Sequence, residues 1–505
     1  MAANQLKAGA TLNYVVILLN TLVGLIYTPY MLRMLGQSEY GLYSLVASVI
    51  SYLTVLDLGF GNAIIRYTAK FRAEKKIKEQ YEMFGMFLIL YFIIGIVAFV
   101  VGLALYFNVD NMFGDTMNVV ELDHARVMML ILVFNLAFTF PLSIFTSIIT
   151  AYERFIFPKV VNIIRIVLNT AIMIVLLSMG YKAIAMVVLQ TVFNLTTLLL
   201  NYVYCKKKLK IEIHFGKFQW GFLKEVSIYS FWIFLNVIMD RIYWSTGQFV
   251  LGAVSGTISV SIFAVAIQLQ GMYLQFSTAI SSVFLPKVTG MVALGDNYKE
   301  MSDLFVRTGR IQYMVMSLIL FGFVVFGKSF ILLWAGKDYV EAYPITLLFF
   351  VALIIPLIQN LGITILQARN QMKFRSILYI IIAVVALCFQ IILSKNFGGL
   401  GCAIAIAGAL FLGQGVIMNV YYYKKQHLDV LIFWKEIAKM SVMPVLISSF
   451  ALYVTSNIIQ TDTWFHLGSG IVIFGFIYIL LFVRFSMNQS ERQLILNPLR
   501  SIVRK

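Results

Sequence analysis

Ionisable side chains stand inside long apolar stretches at a few points of this chain. Asp57 lies in one such stretch and Arg165 in another, and Asp240 and Arg241 are adjacent in a third. A carboxylate in such a place can bind a cation, and a guanidinium group can bind an anion. An ionisable side chain at mid-bilayer costs about 2.5–3.5 kcal/mol on insertion scales, so these residues are the first candidates for function.

Each of these residues also has a structural interpretation. Asp240 and Arg241 would serve equally well as a pair formed with other helices. Arg165 lies close enough to a helix end for its side chain to extend to the membrane surface. Both interpretations stay open at this point.

Asp57 belongs to the stretch LDLGFGNAIIRYTAK, residues 56–70, whose glycine spacing is similar to that of a nucleotide-binding loop. No predicted strand precedes it, so the nucleotide interpretation is rejected. In a regular helix Asp57 and Arg66 would lie about 13.5 Å apart along the axis, on opposite faces, and would not form an ion pair. Gly59 and Gly61 are expected to allow close helix packing or a bend. Arg66 leads into a basic loop.

Uncharged polar residues follow helical spacing in several of the apolar stretches. Facing lipid they would be costly, so we expect them to face other helices or a water-filled cavity. Interhelical hydrogen bonding is the structural alternative. The candidates for cavity-lining polar residues are Asn13, Asn20, Asn162, Asn194, Asn236, Gln268 and Asn360.

Composition assigns the chain to the integral membrane class. Of its 505 residues, 61% are hydrophobic and 12% are charged, whereas a soluble domain carries about 25% charged residues. This composition excludes a soluble multidomain fold. The three cysteines, Cys205, Cys388 and Cys402, show neither metal-ligand spacing nor a disulfide framework.

Hydrophobic runs of about 20 residues predict about fourteen membrane-spanning helices. The first lacks a small-residue cleavage site, so a retained helix is expected and not a signal peptide. The predicted spans are 11–31, 41–66, 83–107, 126–150, 159–179, 183–204, 225–250, 256–284, 311–335, 343–366, 374–394, 398–423, 434–457 and 463–484.

The basic residues predict how these spans are oriented. Most of the 39 lysines and arginines fall in alternate loops such as AKFRAEKKIK and CKKKLK, while NVDNMFGDTMNVVELDH has none. The positive-inside rule therefore predicts both termini in the cytoplasm. The net charge of +17 is explained by topology, so no nucleic-acid partner is expected. No loop is long enough for a folded catalytic domain, so the protein is not expected to be an enzyme.

An internal repeat is visible in the polar residues between the spans. NYVYCKK (201–207) matches NVYYYKK (419–425), and GYKAIA (180–185) resembles GLGCAIA (399–405). Parallel repeats are one of the architectures of membrane transporters; chance similarity between apolar helices is the alternative. We predict an all-α integral membrane fold with two six-helix lobes and two C-terminal helices around a central cavity. The predicted regions are an N-lobe at 1–204, a cytoplasmic linker at 205–224, a C-lobe at 225–425, and the last two helices with a cytoplasmic tail at 426–505.

Four motifs carry a resemblance to a known family: YTPYMLRMLGQSEYGLYSLV (27–46), LDLGFGNAIIRYTAKF (56–71), YERFIFPKVVNIIR (152–165) and LQARNQMKFRSILY (366–379). With them, the chain resembles the polysaccharide-transport branch of the multidrug/oligosaccharidyl-lipid/polysaccharide (MOP) exporter superfamily. It is similar to the Wzx-type flippases of bacterial O-antigen and capsule repeat units. The resemblance extends over essentially the whole chain.

The resemblance implies a function in the bacterial inner membrane. Two lobes would alternate between inward-open and outward-open states and move an undecaprenyl-pyrophosphate-linked oligosaccharide to the outer leaflet. A proton or Na⁺ gradient would drive transport, with no other cofactor. The implied partners, besides membrane lipids, are a glycan polymerase and glycosyltransferases.

The resemblance also implies roles for the charged residues. Arg33, Arg66, Arg165 and Arg241 would contact the anionic substrate, and Asp57 and Asp240 would bind the coupling ion. A drug or metabolite antiporter and a peptidoglycan-precursor flippase of the same superfamily are the alternatives. A membrane-embedded polysaccharide polymerase would need a large outer loop with catalytic residues, which this chain lacks.

Overall fold

A computed structural model of the protein describes residues 2–216, 220–281, 288, 290–292, 295, 297–369, 371–458, 461–489 and 491–493. Within these ranges there are sixteen α-helices and no strand. The first nine are α1 (Ala2–Leu53), α2 (Phe60–Ala73), α3 (Ile77–Phe107), α4 (Val109–Phe113), α5 (Val119–Ala151), α6 (Ile156–Ser178), α7 (Ala183–Lys207), α8 (Trp220–Trp244) and α9 (Thr246–Ser281). The other seven are α10 (Tyr298–Trp334), α11 (Ala342–Ile358), α12 (Asn360–Ala368), α13 (Lys373–Leu410), α14 (Met418–Lys424), α15 (Val430–Asn457) and α16 (Trp464–Phe485).

Ten stretches of the described chain are long and apolar enough to cross a membrane, or eleven if the bent pair α11–α12 is one span. Two of these stretches, 11–73 and 373–424, each contain two of the predicted spans, and 234–278 covers most of the predicted spans 225–250 and 256–284. Large apolar side chains on their surfaces are exposed, as at Phe92. In a bilayer such surfaces face lipid, and helices satisfy their own backbone groups there. The chain is a multi-pass membrane protein.

Glycines form the joints within three of the long helices. α1 turns at Gly36 (φ 77°, ψ 170°), α9 at Gly256 (φ 79°, ψ −178°) and α13 at Gly398 (φ 53°, ψ −133°). Positive φ is open to glycine at little cost. Gly180, with φ 87°, begins the GYKAIA motif, and Gly398 directly precedes the matching motif GLGCAIA. The Gly36 and Gly256 turns have nearly the same conformation.

The predicted second span, 41–66, is not one continuous helix. α1 ends at Leu53, a 3₁₀ turn covers Thr54–Asp57, and Leu58 (φ 53°) and Gly59 (φ 75°) are left-handed before α2 begins. The expected bend at Gly59 is confirmed. Since Asp57 and Arg66 lie on either side of this break, their predicted axial separation of about 13.5 Å along one regular helix does not apply.

A second interruption divides the predicted span 343–366. α11 and α12 meet at Gln359 with a bend of 41°. Pro356 lies in the last turn of α11, where it removes a backbone donor and disturbs the helix. Residues Phe411–Ile417 form a π-helical segment between α13 and α14, so that span is irregular as well.

The chain folds as two compact units, Met1–Ala264 (unit 1) and Val265–Lys505 (unit 2). In unit 1, α5 packs against α3 and α7 around buried residues such as Phe84 and Met129. In unit 2, α10 packs against α11 and α15 around Phe305 and Phe349. The division falls inside α9, and the lobes inferred from the repeat remain a prediction.

Candidate functional site

The interrupted second span places Asp57 at the end of a helix inside unit 1. The hydroxyl of Tyr91 donates a hydrogen bond of 2.8 Å to Oδ1 of Asp57. Tyr91 is 1% exposed, stacks on Phe140 and meets Phe60 edge-on. Interrupted helices are where membrane transporters hold ions and substrates, because their end groups are free to bind. The arrangement can hold a carboxylate ready to bind a proton or a cation.

Helix α8 packs against the 3₁₀ turn that carries Asp57. At the end of α8, the carbonyl oxygen of Arg241 accepts hydrogen bonds from Ser245 N–H (2.9 Å) and Thr246 Oγ1 (3.4 Å). The hydroxyls of Thr246 and Tyr52 are hydrogen-bonded to each other. Tyr52 directly precedes the end of α1 and the 3₁₀ turn, so the predicted cation Arg241 and the predicted carboxylate Asp57 belong to adjoining segments.

The side chains of α8 differ in exposure. Arg241 is half-buried, and its Nε is buried without a hydrogen-bond partner among the described residues. Asp240 is exposed and Asn236 is half-buried. A guanidinium nitrogen that is removed from water and lacks an acceptor suits an anionic ligand.

A second group of polar residues lies along the interface between α1 and α6. Lys159 Nζ donates to Oδ1 of Asn13 at 2.6 Å, and Ile156 N–H donates to Oε1 of Gln5 at 3.5 Å. Asn162 lies one turn after Lys159 and is half-buried. Asn13 and Asn162 were predicted from the sequence, but Lys159 was not. Its signal was present in the motif YERFIFPKVVNIIR, where it precedes Asn162 by three residues.

Arg165 follows on the same helix as Asn162. Its side chain is half-buried, and no residue in the described part of the chain forms a hydrogen bond or ion pair with its guanidinium group. One turn further along α6, Oδ1 of Asn169 is buried, and no group in the described ranges forms a hydrogen bond with it. Charged residues within membrane spans almost always pair with an opposite charge or a polar group. The Arg165 guanidinium group on α6 can therefore bind an anion from outside the protein.

Asn194 forms hydrogen bonds between helices. Its Nδ2 donates to Asn135 Oδ1 and to Thr139 Oγ1, each at 2.8 Å, and joins α7 to α5. Two turns further along α7, Asn201 Nδ2 donates to Thr146 Oγ1 at 2.9 Å. Hydrogen bonding between helices, the structural alternative for the polar residues, accounts for all of these bonds.

The remaining predicted residues are dispersed. Arg33, Arg66 and Asn20 are exposed in unit 1, and the Arg66 guanidinium lies 5.9 Å from the ring centre of Tyr67. In unit 2, Gln268 is half-buried in α9. Asn360 begins α12 and its Nδ2 donates to Ser277 Oγ at 3.5 Å.

Unit 2 contains an apolar cavity of about 370 Å³ between the second part of α9, α10, α11 and α16. Its walls are almost entirely hydrocarbon and aromatic ring, so it can hold a chain without polar groups but no sugar or phosphate. The rings that line it include Tyr273, Phe276, Phe323, Phe326, Phe350 and Phe474.

Solved structures of transporters share this fold. The structure is similar to the lipid II flippase MurJ in an inward closed conformation, with a TM-score of 0.70 and 17% identity over 94% of this chain and 98% of that chain. It is also similar to an inward-facing multidrug resistance MATE family transporter of the MOP superfamily, with a TM-score of 0.58 and 15% identity over 82% of this chain and 99% of that chain. The MATE multidrug transporter DinF-BH gives a TM-score of 0.58 at 15% identity over 83% of this chain and 96% of that chain.

Identities this low establish the fold alone, and no curated protein sequence matches the chain. The family is established by sequence. The model of the polysaccharide biosynthesis protein family matches residues 6–291, which is more than half of the chain. The all-α membrane fold, the helix breaks and the family match agree with one another. The chain belongs to the polysaccharide biosynthesis protein family and has the fold of MOP-superfamily transporters.

Proposed function

We propose that this protein is a flippase for undecaprenyl-pyrophosphate-linked oligosaccharides. It moves repeat units from the cytoplasmic to the outer leaflet of the bacterial inner membrane for O-antigen, capsule or exopolysaccharide assembly. Transport proceeds by alternating access coupled to an ion gradient.

The observation that carries the proposal is the unpaired guanidinium group of Arg165, among the described residues, within an apolar span. A half-buried cation without a counter-charge inside an apolar span is costly, and a pyrophosphate supplies that charge with oxygens suited to a guanidinium fork. Lys159 and the amides of Asn13 and Asn162 lie along the interface between α1 and α6. Amides of this kind suit sugar hydroxyls, which both donate and accept hydrogen bonds.

Two further features support a lipid-linked substrate and ion coupling. The apolar aromatic cavity of unit 2 suits part of an isoprenoid chain. Asp57, held by Tyr91 at the interrupted span, is the favoured site for the coupling proton or Na⁺. Asp240 is the second candidate for this role.

A peptidoglycan-precursor flippase is the second candidate function. The likeness to a lipid II flippase, which covers 94% of this chain, favours it over a drug antiporter. Its substrate would have the same polyprenyl pyrophosphate chemistry, so the residues of the site do not separate the two functions.

Deletion of the gene tests the proposal. A deletion strain is expected to lose the surface glycan and to accumulate lipid-linked repeat units on the cytoplasmic side, while the wild-type gene restores export. Lysis with accumulation of peptidoglycan precursor would support the second candidate. Normal glycan with increased drug sensitivity would contradict both flippase functions.

A further inference from the structure

The two glycine turns at Gly36 and Gly256 are bridged by one carboxylate in unit 1. Oε1 of Glu121 accepts hydrogen bonds from Ser38 Oγ (2.5 Å) and from Thr257 Oγ1 (2.8 Å). Its Oε2 accepts from the N–H of Asn118 at 3.0 Å. All three partners donate, and an ionised carboxylate, which only accepts, matches them.

Next to this bridge, the part of α1 that follows Gly36 and the part of α9 that precedes Gly256 pack closely against each other. We call this α1–α9 interface the seam. A Cβ on Gly41 would stand 1.9 Å from the carbonyl oxygen of Thr257, and one on Gly252 would stand 2.6 Å from Leu45 Cδ1. Further along, Tyr52 and Thr246 share a hydrogen bond. Positions 41, 45 and 52 recur at helical spacing, so one face of α1 follows α9 from the bridge to the turn that carries Asp57.

The closest approaches along the seam are made at Gly41 and Gly252. Its two ends are closed by hydrogen bonds, from Thr257 to Glu121 and between Tyr52 and Thr246. The bridge itself lines an open cleft of about 710 Å³ together with Gln37, Glu39 and His124. Water can therefore replace its hydrogen bonds when the seam opens.

The start of α8, at the end of this helix away from the seam, is held by separate contacts. Tyr67 Oη donates to Glu225 Oε1 at 2.8 Å, and the rings of Tyr67 and Phe222 meet edge-on at 4.9 Å. The α8–α9 hairpin is thus held to α1, α2 and α5 at both ends. Alternating access requires that one end be released while the other stays closed.

We propose that Glu121 is the latch of the gate at the Gly36 end of unit 1. Its carboxylate holds Thr257 against Ser38, and its release lets the seam between α1 and α9 open toward Asp57 and Arg241. Glu121 is a positioning residue that does not touch substrate. The inference rests on the proposed transport function and applies to any substrate that leaves by this end.

A reversible cross-link tests whether the seam must open. Ser38→Cys and Thr257→Cys are combined in a chain whose Cys205, Cys388 and Cys402 are replaced by serine, and surface glycan is measured in the complemented deletion strain. Under reducing conditions we expect export. Oxidation should lower it to the level of the deletion strain, and reductant should restore it. Full export with the cross-link verified by mass spectrometry would overturn the latch and leave the flippase function standing.

The control pair is Thr146→Cys with Asn201→Cys, which also replaces a hydrogen bond between neighbouring helices of unit 1. Its cross-link joins α5 to α7 away from the seam and should leave export unchanged. An equal loss in this pair would show that the effect is not specific to the seam and would also overturn the proposal.

A labelling experiment covers the case in which the double variant does not fold. Ser48 is 4% exposed and lies on the seam face of α1 between Leu45 and Tyr52, and Ser48→Cys changes its size little. In this background Glu121→Ala should increase labelling by a membrane-impermeant maleimide. Glu121→Gln, which retains the capping geometry at the start of α5, should increase it less. Unchanged labelling in Glu121→Ala would contradict the latch.

Discussion

Single residues in the apolar spans carry the substrate prediction. Arg165 is half-buried and unpaired among the described residues, whereas Arg33 and Arg66 are exposed. Exposed cations gain little from binding an anion, because water already solvates both charges. Of these three arginines, Arg165 should therefore contribute most to substrate recognition.

Replacement of Arg165 by alanine should reduce glycan export about 10- to 100-fold, the loss expected for one charge-assisted hydrogen-bonding partner. Arg165→Lys should retain part of the activity because the charge remains and only the fork geometry is lost. Export is measured as surface glycan at matched expression. Arg154→Ala, which removes an exposed arginine just before α6, is the control. Full activity of Arg165→Ala would remove it as a substrate contact.

Asp57 and Tyr91 make a second prediction at the scale of the residue. Asp57→Asn keeps the shape of the side chain and removes its charge, so transport driven by an ion gradient should be lost in proteoliposomes while exchange without a gradient persists. Tyr91→Phe removes only the hydrogen bond and should have a smaller effect. Asp123→Asn, at an exposed position, serves as the control. Gradient-driven transport by Asp57→Asn would exclude Asp57 as the coupling site.

At the scale of elements, the interruptions of the spans depend on a few residues. Gly59 has φ 75°, which favours glycine, and the preceding Leu58 is held at φ 53°. Neither residue interrupts the hydrophobicity of the span, so a hydropathy profile reads the stretch as continuous. Glycine spacing indicated a bend, but its consequence for Asp57 needed the backbone conformation.

A substitution at this break should be costly. Gly59→Ala would place a side chain in the left-handed region and should reduce stability by about 1–2 kcal/mol. Gly468→Ala is the matched control, because Gly468 lies within α16 with nothing near its Cβ position. That change should be neutral or stabilising by up to about 1 kcal/mol. Thermal unfolding in detergent measures both, and equal shifts would contradict a strained conformation at Gly59.

The two copies of the predicted repeat each carry an asparagine, Asn201 and Asn419, whose contacts differ. Asn201 joins two helices through Thr146. Asn419 donates to the carbonyl oxygens of Gln414 and Gly415 in the π-helical segment and exchanges hydrogen bonds with Gln359 at the break between α11 and α12. The second copy thus needs the amide to satisfy backbone groups that its irregular helices leave free.

At the scale of the whole molecule, the end of the described chain is held in unit 2 by a buried ion-pair network. Arg310 is 6% exposed and donates to both carboxylate oxygens of Glu491, at 2.6 and 2.8 Å, and to Glu436 at 2.6 Å. It also donates to the carbonyl oxygen of Ser486. The network connects α10, α15 and the segment that follows α16, residues far apart in sequence.

Removal of Arg310 should be strongly destabilising. Arg310→Ala leaves Glu491 buried without its counter-charge, a change that costs about 3–5 kcal/mol in other buried pairs. The unfolding temperature in detergent should fall accordingly. Arg307→Ala, three residues earlier on the same helix and exposed, should have little effect. If the two variants unfolded at the same temperature, the network would not stabilise unit 2.

The sequence by itself determined the membrane class, the approximate spans and the family resemblance, and it predicted a repeat. These depend on composition and on the period of hydrophobicity, which are local along the chain. It also identified Asp57 and Arg165, because a charge in an apolar span is conspicuous without any structure.

Only the tertiary structure decided which partners these residues have. Tyr91 binds Asp57 and Lys159 binds Asn13, and Glu121 bridges two turns that are distant in the chain. Nothing in the local pattern distinguishes Tyr91 from other tyrosines or Glu121 from a loop carboxylate, since their environment is created by helix packing. Charge in an apolar run is a property of one segment, whereas pairing, burial and the closure of the seam are properties of several segments brought together.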